Sequence, residues 1–314
     1  MKNFLAIFFL FSGIQLFSQE VDPLQRMADS LEALNNPAHD YTTASFKGTR
    51  VINFPTIETV GKSGLDFRIA HRFGEFNDQS GNLAYNAFGL DGGACIRLSL
   101  DYGVNDRLMV GVGRTSLDKM ADASFKYKVT RQTTDNHMPI SVTVMEVMNY
   151  TFIHDPNKAV SGIDKYKFPI DRLSYVSALV IGRKFSEKLS FELNGFYVHY
   201  NIVDHVEDKN DIIAVGFSAR YKLKSRVALT IEYAHRMNKY TDPVTQKTFY
   251  DPLGIGIDLE TGGHVFQMHF TNQFGMNEAQ YIPYTRSNWM KLGFRLGFNI
   301  SRVFATGHHD KNSY

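Results

Sequence analysis

Charged side chains recur on one phase of this chain wherever apolar and polar residues alternate. Arg68, Arg72, Arg97, Asp101, Glu192, Arg220, Glu232, Asp258, Glu260, Lys291 and Arg295 all do so, with Asp66, Lys126, Lys128 and Lys222 beside them. Nine of these are basic and six acidic, an excess of three positive charges. Side chains on a strand point alternately to opposite faces, so these charges share a face that the Leu, Ile and Phe neighbours do not. A face of mixed sign inside a narrow enclosure can do two things. Opposite charges pair and make the enclosure rigid, or the basic excess lines a path that favours anions. The mixed signs put pairing first.

Other groups with chemical potential are weaker. The segment from Asp204 to Asp211 clusters four carboxylates, but their spacing matches no calcium loop. It reads first as a solvated loop, and as a place for a divalent cation or lipopolysaccharide on the outside face second. Gly61-Lys62-Ser63 imitates the end of a phosphate loop, yet position 56 is Thr where Gly is required and no helix pattern follows. Gly111-Val112-Gly113-Arg114 lies in a strand pattern, not in the strand–helix context of a nucleotide cradle. A hydrolase needs a nucleophile beside a base. None of His71, His199, His235, His264 and His269 has a Ser or Asp at a telling spacing. The single cysteine, Cys95, excludes an intramolecular disulfide and a cysteine-rich metal site. No cofactor and no metal are expected.

The elements that must position these residues are strands. Met290, Leu292, Phe294, Leu296, Phe298 and Ile300 alternate with Lys291, Gly293, Arg295, Gly297, Asn299 and Ser301, and Phe304 closes the run. That is long for a soluble strand and suits a tilted membrane-crossing one. Similar alternation runs through Leu65–Phe73, Ile96–Tyr102, Leu108–Val112, Phe125–Val129, Ile140–Ile153, Leu173–Phe185, Leu189–Val203, Ile212–Leu223, Val227–Met237, Gly254–Thr261 and His264–Thr271. Glu146 breaks the apolar phase of its segment, and a β-bulge is expected near Gly195, where the phase switches. Counted back from the end, connections alternate long and short. Asn272–Asn288, Asn238–Leu253 and His154–Arg172 are long; Gly262-Gly263, 224–226 and 186–188 are short. Membrane barrels have short turns on one side and longer loops on the other.

The fold class is therefore all-β: a transmembrane antiparallel up-and-down β-barrel of about twelve strands, with fourteen the alternative. The segment from Ala44 to Asn53 is the odd one in this count. It either lies off the wall, inside the lumen, or marks a strand split or missed.

Lys2, the apolar run from Phe4 to Phe11 and the exit at Leu16-Phe17-Ser18 read as an export signal over residues 1–19. Residues 20–43 are expected to hold a short amphipathic helix, with Asp22 as N-cap, Pro23 at its first position and Leu24, Met27, Leu31 and Leu34 on one side. The barrel is placed at 44–304 and a polar tail at 305–314. A formal net charge of +2 excludes a strong case for nucleic acid. Aromatic residues make up 13% of the chain, with Phe and Tyr far ahead of Trp, as suits lipid-facing strands.

Several stretches resemble a family of membrane-bound β-barrel domains of unknown function from Gram-negative bacteria. They are His71-Arg72-Phe73-Gly74, Gly111-Val112-Gly113-Arg114, Arg172-Leu173-Ser174-Tyr175-Val176, Arg183-Lys184-Phe185-Ser186 and Arg220-Tyr221-Lys222-Leu223. The stretches Glu260–Asn272 and Phe298-Asn299-Ile300-Ser301-Arg302-Val303-Phe304 complete the set. The resemblance implies an outer-membrane location and a barrel fold. It brings no substrate and no catalytic residues.

The expected function is an outer-membrane pore for small solutes. The alternative is a closed barrel that docks partners, and an enzyme acting on lipid or peptide ranks last. Expected partners are outer-membrane lipids, lipopolysaccharide, the barrel-assembly machinery and a small solute, with both chain ends periplasmic.

Overall fold

The computed structural model describes residues 40–77, 84–155, 165–203, 209–238, 248–261 and 263–306. The expected export signal, the helix at 22–34, most of the acidic segment 204–211 and the tail after 306 lie outside the described residues. Twelve antiparallel strands, each paired with its sequence neighbour, close into a barrel through β1 and β12. They are β1 (Gly64–Arg72), β2 (Cys95–Gly103), β3 (Leu108–Thr115), β4 (Met120–Thr130), β5 (Ser141–Thr151) and β6 (Leu173–Lys184). The second half comprises β7 (Leu189–Tyr200), β8 (Asp211–Lys224), β9 (Val227–Arg236), β10 (Leu253–Thr261), β11 (His264–Thr271) and β12 (Arg295–Ala305). Closure pairs Gly64 with Ala305 and Arg72 with Gly297, so no edge is left exposed. No described helix is long and apolar enough to cross a membrane.

The period-two reading holds along every strand. Ile96, Leu98, Leu100 and Tyr102 are exposed on the outside of β2, while Arg97, Ser99 and Asp101 are buried inside. Two expectations fail. The last strand begins at Arg295, not Met290: Trp289–Lys291 forms a 3-10 turn, and Leu292 has a left-handed φ of 56°. Asn288 caps that turn by accepting from the Met290 amide, which ends the extended run there. Lys291 is consequently exposed on the loop side and is not a lumen residue. Nor does β7 bulge at Gly195. Its register against β6 and β8 is unbroken, and Phe196 and Val198 face inward. The chemistry of the lumen changes there, not the phase of the strand. The register shifts instead at Lys128/Thr130 and Lys222/Lys224.

Segment 44–53 is not a strand of the wall. The chain from 41 to 63 begins at the short-turn end, where Tyr41 pairs with Thr133 and the Thr42 amide donates to the Gln132 carbonyl at 2.8 Å. The β4–β5 turn that receives this contact spans residues 131–140. From there the segment rises into the lumen, reverses, and descends to β1. On the loop side, the β11–β12 connection also dips inward and carries a short helix, α1 (Glu278–Tyr284), six of whose seven residues are buried.

Candidate functional site: a hairpin held inside the barrel

Residues 49–56 form a narrow hairpin with Ile52-Asn53 at its tip. The Val51 amide donates to the Phe54 carbonyl at 2.9 Å, and the Thr56 amide to the Thr49 carbonyl at 3.0 Å. A tight reversal leaves backbone groups without partners, and inside a barrel no bulk water supplies them. The wall charges do. Glu232 of β9, fully buried, accepts from three successive amides: Ile52 at 3.0 Å, Asn53 at 2.9 Å and Phe54 at 3.0 Å. Glu192 of β7 accepts from the Ile57 amide at 3.2 Å. The carbonyls are met by cations and amides. Arg68 donates to the Ile52 carbonyl at 3.1 Å and Asn299 to the same oxygen at 3.0 Å, while Gln267 donates to Val51. Lys126 bridges the two hairpin legs, donating to the Thr49 carbonyl at 2.9 Å and the Glu58 carbonyl at 2.7 Å.

The mixed signs of the lumen thus have a physical cause. A backbone offers both donors and acceptors, so a wall that holds one needs carboxylates and cations together. Arg72 donates to the Asn53 side chain at 2.7 Å and to Asn299 at 3.0 Å, and Thr49 donates to Asp101 at 3.4 Å. Only part of the wall pairs with itself. Arg97 binds Asp122 in a two-bond pair, and Arg220 bonds Glu260 at 2.5 Å with Asp258 at 3.8 Å. Lys47, just before the hairpin, also reaches Glu260 at 3.0 Å. Arg295 bonds Glu75 and Ser287 at the loop side. Lys291 belongs to none of these groupings.

The hairpin tip meets the inward loop. Arg50 pairs with Glu278, Asn53 bonds Gln273, and Phe54 stacks on Tyr281 at 5.3 Å and edge-on against Phe196 at 5.2 Å. Burial opposes the charge on Arg50, but Glu278 and neighbouring Tyr281 outweigh it and hold the guanidinium above its ordinary value. Phe54, Met145, Val147, Val176, Phe196, Val198 and Tyr281 form one apolar cluster, with the β5–β9 side of the lumen supplying the wall. Full burial of each large apolar side chain contributes about 1.5–3 kcal/mol.

Above this closure lies a cavity of about 590 Å³ on the loop side. Its lining includes Arg172, Arg286, Arg295, Tyr166, Phe274 and Gln280. By contrast, the space beside the hairpin tip, between Arg68, Arg97 and Met276, amounts to about 10 Å³. Lys126, Gln267 and Asn299 lie on the polar phase and were readable as lumen residues. Asn53 ends the segment 44–53, for which the lumen was one of the readings; Gln273, Glu278 and Tyr281 were not readable, because their connection shows no strand period. Among the described residues no cluster of metal-ligating side chains occurs.

The model of the membrane bound beta barrel domain family (DUF5777) matches residues 46–304, which covers the hairpin and the twelve strands up to Phe304. The chain belongs to this family. No curated protein matches it. Among solved structures it is similar to the NanC porin, at 9% identity and a TM-score of 0.47 over 76% of this chain and 98% of that one. An outer membrane channel from Pseudomonas putida F1 is similar at 13% identity and a TM-score of 0.46, over 82% of this chain and 100% of that one. The KdgM porin is similar at 8% identity and a TM-score of 0.42, over 78% and 99%.

Proposed function

We propose that this family member is an outer-membrane channel for small solutes, closed by its own hairpin. The observation that carries this reading is the hairpin itself. Eight-stranded barrels fill their interior with side chains, and wider ones leave an aqueous channel. Twelve strands enclose more than side chains fill, and here the remainder is occupied by a segment that belongs to no strand. Its contacts with the wall are hydrogen bonds, ion pairs and two apolar patches, around Phe54 and around Ile52 and Ile57, none of them part of a strand ladder. Withdrawing it leaves the closed β1–β12 ladder intact. The short turns and both ends of the described chain face the periplasm in this proposal, and the long loops face outward.

Phe54, seated between Tyr281 and Phe196, favours a second reading in which the barrel stays shut and serves as a docking body. Planar-bilayer recording separates the two. Wild-type protein is expected to be mostly closed. A variant with residues 45–60 replaced by a short Gly-Ser linker is expected to conduct steadily, with barrel folding checked by heat-modifiable gel mobility. A folded deletion variant that still seals the bilayer would sink the channel reading.

A further inference from the structure

The loop-side cavity carries charges that the closure does not use. Asp118 and Asp171, which line it, are engaged by N–H donors: Gln280 reaches Asp118 at 2.9 Å, and the Phe168 amide reaches Asp171 at 2.7 Å. The guanidiniums are engaged differently. Arg172 donates to the carbonyls of Ile153 at 2.8 Å and Thr151 at 3.2 Å, and lies over the Tyr166 ring at 4.4 Å. Arg286, exposed, lies 5.6 Å over the Phe249 ring. Neither has a carboxylate partner among the described residues. Among the described residues, two buried polar atoms in the same lining also lack partners, Oε1 of Gln280 and Nε of Arg295. Aromatic rings stand beside them, with Arg295 at 4.7 Å over Phe274.

We propose that this cavity binds a small organic anion bearing a ring, of the aromatic-carboxylate class. A carboxylate is the group that completes a guanidinium resting on rings and carbonyls. The ring finds Tyr166 and Phe274 as its apolar surface, and a hydroxyl on the ligand has Gln280 as acceptor. A volume of about 590 Å³ lies within the range of small-molecule sites. The assignment names the solute class of the proposed channel and rests on that reading only for the solute's later passage. The site also adjoins the closure: Gln280 and Tyr284 line the cavity, while Glu278 and Tyr281 of the same helix hold the hairpin tip.

Saturation-transfer NMR on full-length protein in detergent tests it, with benzoate as probe and benzylamine and benzyl alcohol as controls. Benzoate is expected to bind in preference to both, more weakly at high salt. Arg286→Gln and Arg172→Gln are each expected to weaken benzoate about tenfold. Arg286 is exposed and makes no backbone bond among the described residues, so its substitution tests the site even if Arg172→Gln disturbs the loop. Absence of a benzoate signal, equal binding of all three probes, or unchanged binding in Arg286→Gln overturns the assignment. Benzoate binding together with a hairpin-deleted barrel that does not conduct would overturn the channel and leave the site standing. Conductance without benzoate binding would do the reverse.

Discussion

Glu232 concentrates the closure in one carboxylate. Three consecutive amides converge on it, and hydrogen bonds to a charged group each contribute about 1.5–3 kcal/mol. Glu232→Ala removes the acceptor and leaves those amides facing an apolar side chain. Even the net loss of one such bond is expected to raise the open fraction in bilayer recordings by about tenfold to a hundredfold, since each 1.4 kcal/mol is a factor of ten. An open fraction equal to wild type would place the holding force elsewhere. Asp251, at the loop-side mouth, shows a second residue effect. Burial raises its carboxyl, but bonds from His235 at 2.9 Å, the Arg236 amide at 3.1 Å and Tyr233 at 2.8 Å outweigh it and hold it below its ordinary value. A carboxyl lowered in the folded state adds stability above its unfolded value, and loses it as pH falls through the folded one. Thermal unfolding in detergent should therefore show Asp251→Asn less stable than wild type at neutral pH. The gap should close in acid, and a gap independent of pH would contradict this.

At the scale of elements, two glycines of the wall are sockets for the hairpin. A Cβ on Gly254 would meet Ile52 at 2.9 Å, and one on Gly182 would meet Ile57 at 2.7 Å. Both neighbours are buried hydrophobic anchors of the hairpin, and a core this tight resists added methyl groups at a cost of about 1–3 kcal/mol. Gly254→Val and Gly182→Val are expected to loosen the hairpin without unfolding the wall. Protease cutting within 45–60 should accelerate while heat-modifiable mobility is kept, and unchanged cutting would remove the socket role. The element scale also shows where reading from sequence breaks. The alternation at Met290–Phe294 continues that of β12, yet the Asn288 cap and the left-handed Leu292 make a turn of it. The change at Gly195 looked like a bulge because lumen residues were expected to be polar. In β7 they turn apolar where Phe54 packs. Glu146, which broke the apolar phase of β5, does lie on the outer wall, where Ser177 donates to it at 2.6 Å.

At the scale of the molecule, two faces and a shared side for the long loops followed from the sequence, and of the readings left open there the structure takes twelve strands over fourteen and the off-wall place for 44–53. These features come from covalent geometry: period-two alternation places side chains, and connection length limits which strand ends meet. The same geometry says which charges face inward, and the structure buries Arg68, Arg72, Arg97, Asp101, Glu192, Arg220, Glu232, Asp258 and Arg295 accordingly. What those charges hold was undecided at that level. The choice between an open lumen and a self-paired one did not connect those charges with the backbone of 44–53, although the lumen was one of the places left open for that segment. Ile52 and Glu232 meet across 180 residues of sequence, and Asn53 and Gln273 across 220. No local pattern encodes such a meeting, because a carboxylate facing a lumen has the same sequence signature whether it binds water, an arginine or three amides. Tertiary structure alone decided that the barrel is filled, since which backbone groups reach the lumen depends on where two distant connections fold.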